Sequence, residues 1–314
     1  MAYPVNTDQP GDINEVVMGS TGSMNYIPTL YAGKLLVKFY EVSVLSDISN
    51  TDYEGQIRDQ GDSVIIRSLP TINVLKHEKG MTLLNQTPSS VSQTLVIDQG
   101  MYWSFRTDDP DSVQTDVKTF INDWTSEASY ELRNEIEKAV LQSVYAADGI
   151  HQGAGQGSES LDIDLGSAGA PIPLAKDTII DMIIDCGTVL DEDQVPDTGR
   201  FFLMPARLIG LIKKSELKDA SLSGDATSII RNGMIGMIDK FKIYKTGNLK
   251  YIAADKAWHC LFGTKHAITF ASQLVKNKVL DDQNGFGMLH RGLHVFGFKV
   301  VKPEALGDLY ASRA

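Results

Sequence analysis

The residues able to do chemistry are few, and their spacing denies them partners. His77-Glu78 opens like the H-E-x-x-H zinc motif, in which two histidines one helical turn apart hold the metal and the glutamate acts as base. Position 81 is Met, and Gly80 interrupts the helix that motif requires. Gly153-Ala154-Gly155-Gln156-Gly157 has the glycine density of a phosphate cradle. It follows a helical pattern rather than a strand and lacks the Gly-Lys-Ser/Thr ending, so it reads as a linker. Asp191, Glu192, Asp193 and Asp197 offer carboxylates, but Val195 and Pro196 stand where a calcium loop needs an oxygen donor and a glycine; the run reads as a solvated helix end. The six histidines (His77, His151, His259, His266, His290 and His294) are scattered singly, with no Gly-x-Ser-x-Gly elbow to pair with them. His259, between Trp258 and Cys260, reads as a strand residue. Cys186 and Cys260 lie in apolar contexts with no C-x-x-C spacing and read as small buried hydrophobes. Tyr102, Trp103 and Phe105 could stack nucleic-acid bases, yet Asp98, Asp108 and Asp109 beside them would repel a phosphate chain, which favours packing in a core or interface. No catalytic residue, cofactor or metal is expected.

The chain that carries these residues has 314 positions, 42% of them apolar and 22% charged, enough for a sizeable core in one large domain or two medium ones. With 29 Lys and Arg against 40 Asp and Glu, the net charge is −11, which argues against nonspecific wrapping of nucleic acid. No stretch approaches the roughly 18 apolar residues of a membrane span, and Met1 to Asn14 are polar without a positive start or apolar core, so neither a membrane nor a Sec-secreted protein is expected.

The elements follow from periodicity. Residues 1–26 are polar and rich in Gly, Ser, Asn and Thr, an arm that needs a partner surface to become ordered. Pro28 starts a short helix over Thr29 to Phe39. Strands are predicted at Val64-Ile65-Ile66, Ile72 to Leu75, Leu95-Val96-Ile97 and Met101 to Phe105. The polar stretch Lys76 to Gln93 between the second and third reads as the tip of a long hairpin with little to pack against. From Asp111 the period becomes helical: Val113, Val117, Phe120, Ile121, Trp124, Ala128, Leu132, Ile136, Val140 and Val144 form one stripe. If it runs to Ala147, this helix is about 50 Å long. A loop follows over Asp148 to Pro173, with a short strand at Leu161 to Leu165, and then a helix over Leu174 to Leu190. Phe201 to Met204 reads as a buried strand stopped by Pro205, and Ala206 to Lys214 as a helix. Strands recur at Phe241 to Tyr244, Ile268 to Phe270 and Gly292 to Val301. The result is an α+β chain without the βαβ rhythm of a doubly wound sheet.

Four runs in order resemble the major capsid proteins of tailed bacteriophages, which share the Hong Kong 97 fold. Ile27-Pro28-Thr29-Leu30-Tyr31-Ala32-Gly33-Lys34-Leu35-Leu36, continuing through Asn50 to Gly55 and Gly61 to Ile66, is similar to the family's arm helix and the first strand of its extended loop. Leu95 to Gln99 and Trp103 to Asp109 resemble the strand returning from that loop into the spine helix. Gly233 to Tyr244 is similar to a glycine-spaced segment entering an axial-domain strand, and Gly297 to Leu306 to the closing strand. One departure is Asp239-Lys240, where many relatives carry a glycine before the aromatic residue.

The resemblance implies an N-terminal arm with short helix at 1–50, an extended loop with flanking strands at 51–112, a peripheral domain with the spine helix at 113–172 and an axial domain at 173–275. A long returning strand of the peripheral domain is expected at 276–302, and a C-terminal segment at 303–314. It implies a coat protein that assembles as hexamers and pentamers into an icosahedral head around double-stranded DNA, without sequence-specific binding. The virion would be assembled in the host cytoplasm. No long charged helical extension precedes the arm, so scaffolding would come from a separate protein, alongside a portal and optional decoration proteins. A nanocompartment shell of the same fold, or an enzyme or ligand-binding domain, are the other readings. Lys76, Glu78, Lys79, Gly80, Thr87 and Ser89 on the hairpin tip are the expected intersubunit contacts.

Overall fold

The structure is a computed structural model, and it describes residues 43–51, 63–67, 72–82, 85–87, 92–108, 117–215, 236–283 and 285–314. The expected arm and its helix at Thr29 to Phe39 lie outside the described residues, as does the expected start of the spine helix.

The largest sheet is built around a strand that cannot alternate. Arg200–Met204 is buried at all five positions, because its sheet is covered on both faces. Labelling elements in chain order, the described segments are α1 (Leu45–Ile48), β1 (Ser63–Arg67), β2 (Ser92–Val96), β3 (Gln99–Asp108), α2 (Val117–Val144), β4 (Ile172–Leu174), α3 (Ile179–Glu192), β5 (Arg200–Met204) and α4 (Ala206–Ile212). They continue as β6 (Met237–Ile238), β7 (Phe241–Lys245), β8 (Tyr251–Ile252), β9 (Ala257–Thr264), β10 (Ile268–Asp281), β11 (Gly287–Val300) and β12 (Leu306–Arg313). The sheet runs β4-β12-β9-β5-β7-β6, with β8 on β9. Phe202, Phe241 and Phe262 meet at its centre, with ring centroids 5.6 to 6.2 Å apart. The helix α3 buries Ile179, Met182, Ile183, Cys186, Val189 and Leu190 on one stripe. Both cysteines are unbridged, and burial raises their thiols well above the ordinary value.

Strand pairing gives the C-terminal segment 303–314 its structure: β12 is a strand of this sheet, parallel to β4 and antiparallel to β9 from Leu306↔Gly263 to Ser312↔Ala257. Its first six residues are all buried, so it shows none of the alternation by which a half-exposed strand is recognised. Residues 276–302, expected as one long returning strand, are divided between two strands. Residues 276–281 complete β10, the chain turns, and β11 returns antiparallel from Asp281↔Met288 to Ile268↔Val300. Residues 268–275, expected in the axial unit, therefore belong to a second, three-stranded sheet of order β10-β11-β3.

The long helix α2, with 28 described residues, crosses one face of that second sheet. Alternation along β3 sends Trp103 and Phe105 to the helix side, stacked at 5.4 Å, and Phe105 meets the edge of Trp124 at 5.9 Å. His290 stacks on Phe105 at 4.9 Å, and burial lowers its imidazole below the ordinary value. The residue opposite Trp103 is Gly292, where a Cβ would run into the indole; only glycine lets that ring lie flat on the strand. Burial on α2 concentrates in its last turns, at Ile136, Glu137, Val140, Leu141 and Val144.

The opposite face of β10 and β11 receives the base of the hairpin. Strands β1 and β2 pair antiparallel, Ser63↔Val96 to Arg67↔Ser92, and Ile66, Leu95 and Ile97 pack on Ala271, Val295 and Val301. The Gln93 amide donates to the Val301 carbonyl at 3.1 Å, and the Lys299 ammonium to the Thr94 carbonyl at 3.0 Å.

Three shorter expectations change. Ile72 to Leu75 joins no ladder among the described residues. Leu161 to Leu165 forms only the single bridge Gln156↔Ile163. The helix expected from Leu174 begins at Ile179, since Leu174 is used in β4.

Candidate assembly surfaces

The hairpin is anchored at its base and bare at its tip. Every described residue from 72 to 87 is exposed, Val74 at 97%. A residue with no core to enter has only solvent or another chain to meet. The two limbs are joined by one side chain: the Gln86 amide accepts from the Asn73 N–H at 3.1 Å and donates to the Asn73 carbonyl at 2.7 Å. This imitates a ladder rung while leaving the neighbouring backbone groups unoccupied by it. Lys79-Gly80 makes the turn, with Gly80 at φ 90° and open space where a Cβ would stand. The Met81 N–H closes the turn onto the Glu78 carbonyl at 3.2 Å. Lys76 and Glu78 lie 3.9 Å apart, 89% and 73% exposed, in a pair too solvated to hold the loop's shape. Thr87 is exposed on the returning limb, and Ser89 lies outside the described residues.

A second bare surface is the outer end of the β10–β11 hairpin. Val279, Leu280, Phe286 and Met288 are exposed there, Phe286 at 85%. On the sheet face away from α2, Tyr102 and Leu293 sit opposite one another, also exposed. Scattered apolar side chains are ordinary on a surface; several on one hairpin make this end a candidate contact surface.

The groups with chemical potential are absorbed into the architecture. The acidic run lies at a solvated helix end and also forms an ionic cluster. Arg200, its side chain wholly buried, places Nη2 2.6 Å from Asp191 and 3.2 Å from Asp197, and donates to the Val195 and Pro196 carbonyls. Lys240 reaches Asp191 at 3.3 Å and Asp197 at 3.1 Å from the opposite side. Burial alone would raise the Asp191 carboxyl, but hydrogen bonds from Arg200 and Lys240, and then their charges, bring it below the ordinary value. Glu192 accepts the Glu159 and Ser160 N–H groups, which lower it likewise, and Asp193 faces His151 at 3.0 Å.

Lys240, with its two ion pairs, stands at the departure Asp239-Lys240. These residues take φ of 43° and 63° in the two-residue turn between β6 and β7, a left-handed geometry that glycine adopts without strain. The glycine run 153–157 is corrected. Leu165 N–H to the Gly153 carbonyl and a reciprocal Gln156–Ile163 pair make it a built turn rather than a linker.

The sequence also hid a buried carboxylate. Glu137, on α2, accepts the Val44 N–H at 2.8 Å, the Thr246 hydroxyl at 3.2 Å and the Asn248 amide at 3.1 Å. It ties the root of the arm, the long helix and the loop after β7 at one point; a lone Glu within an apolar stripe was its only signal. Among the described residues no group of three or more His, Cys, Asp or Glu is placed to hold a metal ion.

No family model and no curated protein matches the sequence. Solved structures do. A chain from Mycobacterium phage Che8 superposes with a TM-score of 0.73 at 25% identity, covering 91% of this chain and 98% of that one. The capsid of cyanophage P-SCSP1u gives a TM-score of 0.68 at 14% identity, covering 94% and 96%. The mature capsid of bacteriophage PhiM1 gives 0.63 at 13% identity, covering 91% and 92%. Two of these are named as phage capsids, and each match covers more than nine-tenths of both chains rather than a shared module. The fold of this chain is the phage capsid fold.

Proposed function

We propose that this chain is the major capsid protein of a tailed bacteriophage, the subunit from which the head shell is built. The observation that carries this is the near end-to-end match to capsid chains, over 91 to 94% of this chain. It is a structural protein of the virion.

The finer reading extends this. Subunits associate as hexamers and pentamers, and the exposed hairpin around Lys76, Glu78, Lys79, Gly80, Thr87 and Ser89 contributes contacts to an adjacent subunit. Separate scaffolding and portal proteins join the assembly in the host cytoplasm. The role needs no catalytic residue: His259, Arg200 and the acidic run all serve packing. A net charge of −11 suits a container whose lumen must release its DNA rather than grip it.

Expression with the neighbouring genes, followed by electron microscopy and nuclease treatment of the particles, tests the reading. Icosahedral shells with nuclease-protected genomic DNA are expected. Shells holding an enzyme instead of DNA would identify a nanocompartment, and a lone soluble monomer would overturn the assignment.

A further inference from the structure

The segment Ile72 to Lys76 has the sequence of a strand and the exposure of a ligand. Ile72, Val74 and Leu75 are 65%, 97% and 53% exposed, and no strand pairs with them among the described residues. The sheet β10-β11-β3 offers a matching vacancy in its ladder. β10 is an edge strand; β11 occupies one side, and among the described residues nothing pairs with the other side along Asn277 to Asp281. All five of those residues are exposed, including Val279 and Leu280. A long edge with apolar side chains is a template for an added strand, and an extended segment with unpaired backbone is what such an edge binds.

We propose that Ile72 to Lys76 of one copy adds as a strand to the outer edge of β10 in a neighbouring copy. The pairing rests on the shell reading above and gives its hairpin contact a specific acceptor. Charge selects the direction. The loop runs from apolar to basic, Ile72, Val74 and Leu75 leading to Lys76 and Lys79, while β10 runs through Val279 and Leu280 to Asp281 and Asp282. A parallel alignment sets Val74 beside Val279 and Lys76 beside Asp281. An antiparallel alignment sets Lys76 on Lys278 when Val74 faces Leu280, or on the uncharged Asn277 when Val74 faces Val279; neither gives Lys76 a carboxylate, and like charges facing across a ladder destabilise it. The rung made by Gln86 at Asn73 holds the limb extended and reduces the ordering cost of docking.

The test uses particles made by the full chain expressed with its neighbouring genes. Adjacent strands bring Cα atoms within the range a disulfide spans, and Cys186 and Cys260 are buried and silent. Particles carrying both Val74→Cys and Val279→Cys should yield oligomeric ladders on a non-reducing gel after oxidation, while either single variant gives none. Lys76→Glu should reduce particle yield at least several-fold, and adding Asp281→Lys should restore it. Unlinked chains from well-formed double-cysteine particles, or a Lys76→Glu chain assembling as well as wild type, would overturn the pairing. A wild-type chain that forms no particles would overturn the shell reading itself, so the two failures are distinguishable.

Discussion

Nδ1 of His259 lies 2.6 Å from Oδ2 of Asp308, joining β9 to the C-terminal strand β12 inside the large sheet. Tyr145 and Tyr310 stack on the imidazole, at 4.0 and 4.6 Å between centroids, and the Tyr310 hydroxyl donates to Asp255 at 2.6 Å. Burial raises the Asp308 carboxyl above its ordinary value, with the His259 hydrogen bond opposing, and its Oδ1 has no hydrogen-bond partner among the described residues. A group raised on folding favours the native state only while protonated, below its unfolded value of about 3.9, and that contribution fades as pH rises through the folded value. Asp308→Asn should therefore gain stability relative to wild type as pH rises from about 4 into the neutral range. Urea midpoints of the unassembled subunit at several pH values check this; a difference that does not grow with pH would refute it.

The cluster around Arg200 has the opposite pH dependence. Asp191 is lowered on folding, so its contribution is complete above about pH 4 and is lost as pH falls through the lowered value. Arg200→Met removes the buried partner and leaves the Val195 and Pro196 carbonyls without their donor, which should cost about 1–3 kcal/mol near neutrality, the half-exposed carboxylates keeping water and Lys240. Denaturant unfolding should show the gap between variant and wild type narrowing below pH 4.

Along α2 the energetic weight lies in the last turns. Leu141 is 1% exposed, so Leu141→Ala should cost about 3 kcal/mol through lost burial and the residual cavity. Trp124, half-buried with its edge contact to Phe105, should cost less, about 1–2 kcal/mol, when replaced by Ala. Chemical denaturation of the two variants checks the order; equal losses would place the helix's main contact elsewhere.

Legibility in the sequence followed the reach of each force. The heptad-like stripe of α2, the five-residue run of β5 and the strands β1 and β7 are written locally, by period or by a continuous apolar run. β12 was missed because Leu306 to Ala311 is buried on both faces and carries Asp308 in its middle, whose partner His259 is 49 residues away. The ionic cluster was missed for the same reason: Lys240 joins Asp191 across 49 residues. Ile72 to Leu75 shows the reverse case, a strand pattern with no pairing partner among the described residues.

The exposed hairpin gives the sharpest separation between stability and assembly. Its base is held by Ile66, Leu95 and Ile97 on Ala271, whereas the tip touches none of the buried clusters. A two-stranded hairpin is only marginally stable alone in water, and the proposed contact with another chain would supply the order that a tip of this length lacks. Replacing residues 80–90 with a short Gly-Ser turn should leave a soluble subunit with near-normal thermal unfolding, because every described residue it removes is exposed. Shell formation should fail or give fragile particles, read by sedimentation and electron microscopy. Fully stable shells from this variant would remove the hairpin from the interface. An unfolded subunit would place the segment in the subunit's own core, contrary to the exposure of every described residue in it.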